Sequence, residues 1–153
     1  MNKKLPTRGQ LERELSQKIY KLYHQKLKHY PQKITCMIFS NRLVVIVEGA
    51  LTTVEKTLIN EDNGKKLAKS LNLVIGETIE EDLKALVEEI LAIEVEDVLM
   101  DSDLETERTG AIVTLTRSPV VRDRKSKIKH DRNTERSDLK IEQDRHDKGP
   151  SLE

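Results

Sequence analysis

Leu11, Leu15, Ile19, Leu22 and Leu27 recur at spacings of three to five residues, which places them along one stripe of a helix. Thr7, with Gln10 three residues on, makes a capping box ahead of that stripe, so the pattern predicts an amphipathic helix from about Thr7 to His29. Pro31 stops it near Tyr30, because proline disfavours helical geometry in the residue before it and has no N–H to donate. The period then changes to two. Lys33-Ile34-Thr35-Cys36-Met37-Ile38-Phe39 and Arg42-Leu43-Val44-Val45-Ile46-Val47-Glu48 are rich in β-branched and apolar residues and read as two strands. Ser40-Asn41 between them suits a tight hairpin, with Asn41 expected to take the left-handed backbone. Leu43, Val45 and Val47 are apolar, and so are Val44 and Ile46, so the second strand should be covered on both sides. The chain's own helices supply one cover, and a second subunit is the expected other.

Beyond Gly49, Thr53 is placed to cap a short helix over Val54 to Ile59, which breaks around Asn60 to Gly64. From Lys65 the positions Leu67, Leu71, Val74, Ile75, Ile79, Leu83, Leu86, Val87, Ile90 and Leu91 keep helical period. Gly76 falls inside that helix, where it either kinks the chain or admits another element closely. Glu80, Glu81, Asp82, Glu88 and Glu89 form an acidic stripe expected to face solvent. Val95 to Met100 reads as a third strand, Asp101 to Gly110 as a polar connection and Ala111 to Thr116 as a fourth strand. The order α-β-β-α-α-β-β predicts an α+β domain over residues 7–121: a four-stranded, mostly antiparallel sheet made of two hairpins, with long helices on one face.

Composition sets that domain apart from the C-terminal segment. Residues 122–153 hold eighteen charged side chains among thirty-two and only four aliphatic ones, Ile128, Leu139, Ile141 and Leu152. Such a segment buries too little to offset about 1–2 kcal/mol of backbone entropy per residue, and a disordered tail is expected. The 27 basic and 27 acidic residues of the whole chain cancel, which argues against a protein built entirely around a polyanion. The start of the tail is nonetheless basic at Arg122, Arg124, Lys125, Lys127 and Lys129, a candidate polyanion contact. It carries no aromatic residue to stack on bases. Leu5-Pro6-Thr7-Arg8 follows the basic start where a secretory signal would be apolar, and Leu43 to Val47 is far too short to span a bilayer. A cytoplasmic location, with any membrane association peripheral, is the expectation.

No reaction centre emerges. Asp101-Ser102-Asp103-Leu104-Glu105 has acidic groups on alternate residues, but Thr106 and Ile112 stand where a calcium loop needs Gly and Glu. His24 and His29 are five apart and do not share a helix face, so helix-surface histidines are expected, and the single Cys36 reads as a buried, inert thiol. The scattered glycines form neither a P-loop nor a dinucleotide fingerprint. The expectation is a non-enzymatic binding module without cofactor or metal. Its candidate contacts are Glu48, Gly49, Thr52 and Glu55, where a strand end meets a helix start, with Gly49 able to supply unusual backbone angles and Thr52 or Thr53 a cap. Two other readings stay open: a nucleic-acid binder using the basic tail, and a small-ligand sensor with a pocket between long helix and sheet.

The segment from Val44 through Glu48-Gly49 and Leu51-Thr52 to Leu58, together with Val95-Glu96-Asp97-Val98-Leu99-Met100-Asp101, resembles the MpsC-like family of small bacterial proteins. The likeness runs from about Leu11 to Arg122. The connection from Tyr23 to Pro31 departs from it, lacking the glycine-basic-glycine-proline run expected there. The resemblance carries over no catalytic residues. It implies a soluble accessory or regulatory role beside membrane proteins that couple cation gradients to inorganic carbon, that is bicarbonate, uptake. A homodimer docking on a membrane transport protein is the corresponding expectation.

Overall fold

The computed structural model describes residues 4–122. Its elements run α1 (Arg8–Leu27), β1 (Lys33–Phe39), β2 (Arg42–Glu48), α2 (Thr53–Asn60), α3 (Gly64–Leu91), β3 (Val95–Asp103) and β4 (Arg108–Leu115). The expected α+β order holds. The sheet is antiparallel throughout, in the order β1-β2-β4-β3. The second hairpin is thus inserted with its later strand against β2, so β2 and β4 are central and β1 and β3 are edges.

The capping box predicted for α1 is present: Thr7 Oγ1 accepts from Gln10 N, and Thr7 N donates to Gln10 Oε1 at 2.8 Å. The helix ends at Leu27, two residues early, with Lys28 in left-handed geometry. Leu11, Leu15, Ile19, Leu22 and Tyr23 of α1 and Ile79, Leu83 and Val87 of α3 meet the inward residues of the sheet, Leu43, Val45, Val47, Ala111, Val113 and Leu115, in one core. Glu12 reaches from α1 to the outer edge of β1, its Oε2 accepting from Ile38 N at 2.8 Å. Burying this apolar set, at about 25 cal/mol per Å², is what fixes α1 and the second half of α3 on the sheet.

Several local expectations are corrected. Phe39 pairs with Arg42, which leaves a two-residue turn whose positive φ falls on Ser40 (55°) and not on Asn41. Asn41 is held by β4 instead: its Nδ2 donates to Leu115 O at 3.1 Å, and its own carbonyl accepts from Leu115 N at 2.8 Å. The polar connection shrinks to Leu104–Glu107. Polar residues prolong both strands there, joined by a 2.7 Å hydroxyl pair between Ser102 and Thr109, while Asp103 Oδ1 accepts from Glu105 N and Thr106 N to tighten the turn. Helix α3 runs on through Gly76, where an added Cβ would meet nothing within 4 Å, so no element approaches closely. Gly64 has that role: a Cβ there would lie 1.7 Å from Leu58 O, so only glycine lets α3 start against the end of α2. Within the acidic stripe, Asp82 is half-buried and pairs with Lys26 at 3.3 Å.

Helix α2 packs on α3 and not on the sheet. The two form an arm on which Val54, Leu67, Leu73 and Val74 stay exposed. Among the described residues no helix is long and apolar enough to cross a membrane.

Candidate interaction face and the strand-helix junction

Glu48, Gly49, Thr52 and Glu55 fall at one end of the sheet, where β2 hands over to α2. Gly49 takes φ 66°, a backbone that side chains disfavour, and a Cβ there would also strike the Gln32 side chain at 2.7 Å. Its carbonyl accepts from His29 Nε2 at 2.6 Å, and Glu48 O accepts from Gln32 N at 2.9 Å. Ala50 N donates to Glu107 O, and the Glu107 carboxylate stands 3.1 Å from Lys56 Nζ. The loop is therefore stitched to the chain before β1 and to the β3–β4 turn.

Thr52, not Thr53, is the N-cap of α2. It completes a capping box with Glu55, whose Oε1 accepts from Thr52 N at 3.1 Å and from Thr52 Oγ1 at 2.9 Å. Because α3 lies against this turn, Glu55 is fully buried, and its second oxygen accepts from Asn72 Nδ2 at 2.8 Å. Three donors thus satisfy the carboxylate. Glu48 points elsewhere, toward Arg108 at 3.6 Å on the outer side of the sheet. The four residues are neighbours along the chain but do not converge on a shared cavity, and their polar groups are occupied by capping and stitching.

The rest of the interior offers little room. The space enclosed between α1, α3 and the sheet, lined by Ile19, Tyr23, Val45 and Thr109 among others, measures about 10 Å³, room for roughly one water. The groove between α3 and β3 at Gly76 and Met100 is about 80 Å³. Both fall well short of the ~300 Å³ of a small-molecule site. The larger openings, about 600 Å³ against Val44, Ile46, Leu99 and Ile112 with Glu80 at its edge and about 470 Å³ at the α2–α3 turn, lie open on the surface. Burial pushes the Tyr23 hydroxyl up to about 12, against a smaller opposing effect of the Thr109 hydroxyl and with a small addition from the Glu55 charge. Burial likewise raises the Cys36 thiol, so the inert reading of that cysteine fits its surroundings. His24 and His29 are not free helix-surface groups: His24 stacks on Tyr30 at 4.3 Å, and His29 latches onto Gly49. That latch had no signal in the sequence. Among the described residues no group of three His, Cys, Asp or Glu side chains is placed to hold a metal. Of the basic tail positions Arg122 is exposed, while Arg124, Lys125, Lys127 and Lys129 lie outside the described residues.

The outer face of the sheet differs from all of this. Strand register aligns its side chains in four rungs, one of which, Met37–Val44–Ile112–Leu99, is apolar from edge to edge. Met37 is 57 %, Ile112 43 % and Leu99 65 % exposed, and Phe39 on the neighbouring rung 73 %. Ile46 completes the patch, with Gly110 beside it. Lys33, Arg42 and Arg108 frame it toward β1 and the centre, and Asp97, Asp101 and Asp103 along β3. A contiguous apolar surface with a charged rim is the kind of surface that interaction sites use.

The sequence model described as "Na+-translocating membrane potential-generating system (MpsC)" matches residues 7–117. The chain belongs to the MpsC family. The match covers α1 through β4, so both the stitched junction and the apolar sheet face belong to the MpsC region. The chain matches no curated protein and no solved structure.

Proposed function

We propose that this MpsC-family chain is an accessory or regulatory binding protein of a cation-coupled membrane transport system, with inorganic carbon, as bicarbonate, the expected cargo of that system. In this reading it performs no reaction of its own, works as a homodimer and sits in the cytoplasm, peripheral on the inner face of the membrane. The apolar outer sheet face carries the binding part of the proposal: four strands present Met37, Val44, Ile112 and Leu99 in one row that no described element covers. Leaving such a row in water forgoes about 25 cal/mol for every Å² that a partner would cover. The family description supplies the membrane system. The α2–α3 arm, with Val54, Leu67, Leu73 and Val74 exposed, is a second surface suited to a protein partner.

The test is cross-linking of the tagged full chain in native membranes, followed by capture and identification of the attached subunits. Recovery of a cation-translocating membrane subunit is expected. Recovery of the chain with no transport or membrane subunit would overturn the assignment.

A further inference from the structure

The two sides of the bare face carry opposite charge, and the register says which residues would meet if the face were turned onto itself. Its rungs, read from β1 through β2 and β4 to β3, are Lys33–Glu48–Arg108–Asp103, Thr35–Ile46–Gly110–Asp101, Met37–Val44–Ile112–Leu99 and Phe39–Arg42–Thr114–Asp97. A twofold axis lying between two such faces and parallel to the strands keeps each rung opposite its own copy and reverses it. Lys33 then faces Asp103 of the other copy, Glu48 faces Arg108, Met37 faces Leu99 and Val44 faces Ile112. Ile46 seats over Gly110, the one position of the patch with no side chain, so the protruding side chain has a hole to enter. Asp101 comes opposite Thr35, whose hydroxyl can donate to the carboxylate but carries no charge, and the outright mismatch is at a corner, where Phe39 comes beside Asp97.

The alternatives fare worse. A twofold axis across the strands would lay β3 over β3, setting Asp103 on Asp97 and Asp101 on Leu99, a repulsive pair and a desolvated carboxylate. Edge-to-edge pairing through β3 would bring its three aspartates together, and the outer edge of β1 is already engaged by Glu12 at Ile38 N. We infer that two copies of this chain stack bare face on bare face about an axis parallel to the strands, each β2 over the other's β4 and each β1 over the other's β3. The inference rests on the homodimer reading above and gives it a geometry. Sheets packed in this way sit about 10 Å apart and rotated by about 30°, which tilts the axis about 15° from the strand direction, an offset that the long Lys33 and Arg108 side chains can follow. A face of four strands by seven residues measures about 20 Å by 24 Å. That is at the small end for a specific interface, so a dissociation constant in the micromolar range is expected.

The experiment is sedimentation velocity of the full chain over a concentration series to about 200 μM, with circular dichroism to check folding. Gly110→Val is the main variant. In the free chain its Cβ meets only Val45 O, at 4.0 Å, so the strand should tolerate it, but it fills the hole that Ile46 enters. At least tenfold weaker dimerisation is expected. Lys33→Glu sets a carboxylate against Asp103 of the other copy. It should weaken the dimer roughly fivefold at low salt and reverse the direction of its salt dependence. A dimer indifferent to both substitutions would overturn this geometry while leaving the homodimer reading intact. A wild-type chain that stays monomeric throughout would overturn both.

Discussion

Neighbouring residues of β2 lie in opposite surroundings. Leu43, Val45 and Val47 are at most 2 % exposed beneath α1 and α3, whereas Ile46 is 39 % exposed on the other side. Strand β4 repeats the contrast with Val113 at 0 % and Ile112 at 43 %. The middle of β2 is aliphatic on both faces, Val44 and Ile46 on one and Leu43, Val45 and Val47 on the other, so the presence of aliphatic side chains there does not by itself distinguish them. The difference lies in what is packed above. Helices α1 and α3 carry apolar stripes that match one face, while α2, which might have covered the other, spends its contacts on α3. One face is therefore the core of the fold, and the other is surface that gains by being covered from outside.

The sharpest way to break this contrast is to truncate one aliphatic side chain on each face. Leu43→Ala should cost about 3–4 kcal/mol, lost transfer energy plus a cavity beneath α1 and α3. Ile46→Ala should cost less, about 1–2 kcal/mol in dilute protein, because Ile46 is already 39 % exposed. Urea unfolding at submicromolar concentration measures both. Equal losses would mean that the outer face is not open.

Tyr23 probes the covered side by pH. Its hydroxyl is raised to about 12 by burial, while an unfolded tyrosine ionises near 10. Because the folded value is the higher one, the stabilising contribution is fully present below about pH 10 and is lost as pH rises through about 12. Two pH units correspond to roughly 2–3 kcal/mol. The unfolding free energy of the wild type should fall over that window, and Tyr23→Phe should flatten the fall. A slope unchanged by Tyr23→Phe would remove Tyr23 as its source.

Helix α3 holds the same contrast in two glycines. Gly64→Ala drives a Cβ toward Leu58 O and must part α2 from α3, at about 1–3 kcal/mol. Gly76→Ala has open space around it and should stabilise by up to about 1 kcal/mol through helix propensity. Thermal melts of the two variants should shift in opposite directions, and a loss at Gly76 would show that its open side is occupied.

Much of the fold is legible in the sequence because local patterns decide it. The limits of β1 and β2 follow from alternation bounded by Pro31, the Ser40-Asn41 turn and Gly49, and α1 follows from its capping box and apolar stripe. What escaped depends on contacts between separate elements. The tips of β3 and β4 are polar and lack strand patterning, yet their backbones pair as far as Asp103 and Arg108, with Ser102 meeting Thr109 across the ladder. The pairing of β4 with β2 creates the apolar rung, and no periodicity announces it. At the junction, sequence picked out Glu48, Gly49, Thr52 and Glu55 as a group, yet could not show that Glu55 turns inward to Asn72 while Glu48 turns outward to Arg108. The His29 latch lies twenty residues from Gly49 and left no local trace.

The smallest expected effect separates capping from ligand contact at that junction. Thr52 accepts from Glu55 N and donates to Glu55 Oε1, whereas the exposed Thr53 takes no part in the box. Thr52→Ala should therefore cost about 1 kcal/mol, and Thr53→Ala should stay within about 0.5 kcal/mol. Since α2 rests on α3 and not on the sheet, the loss should be local. Hydrogen exchange would quicken in α2 and the first turns of α3, with β2 and β4 unchanged. Quickening across the strands as well would mean that the junction braces the sheet, and that the arm and the sheet open as one unit.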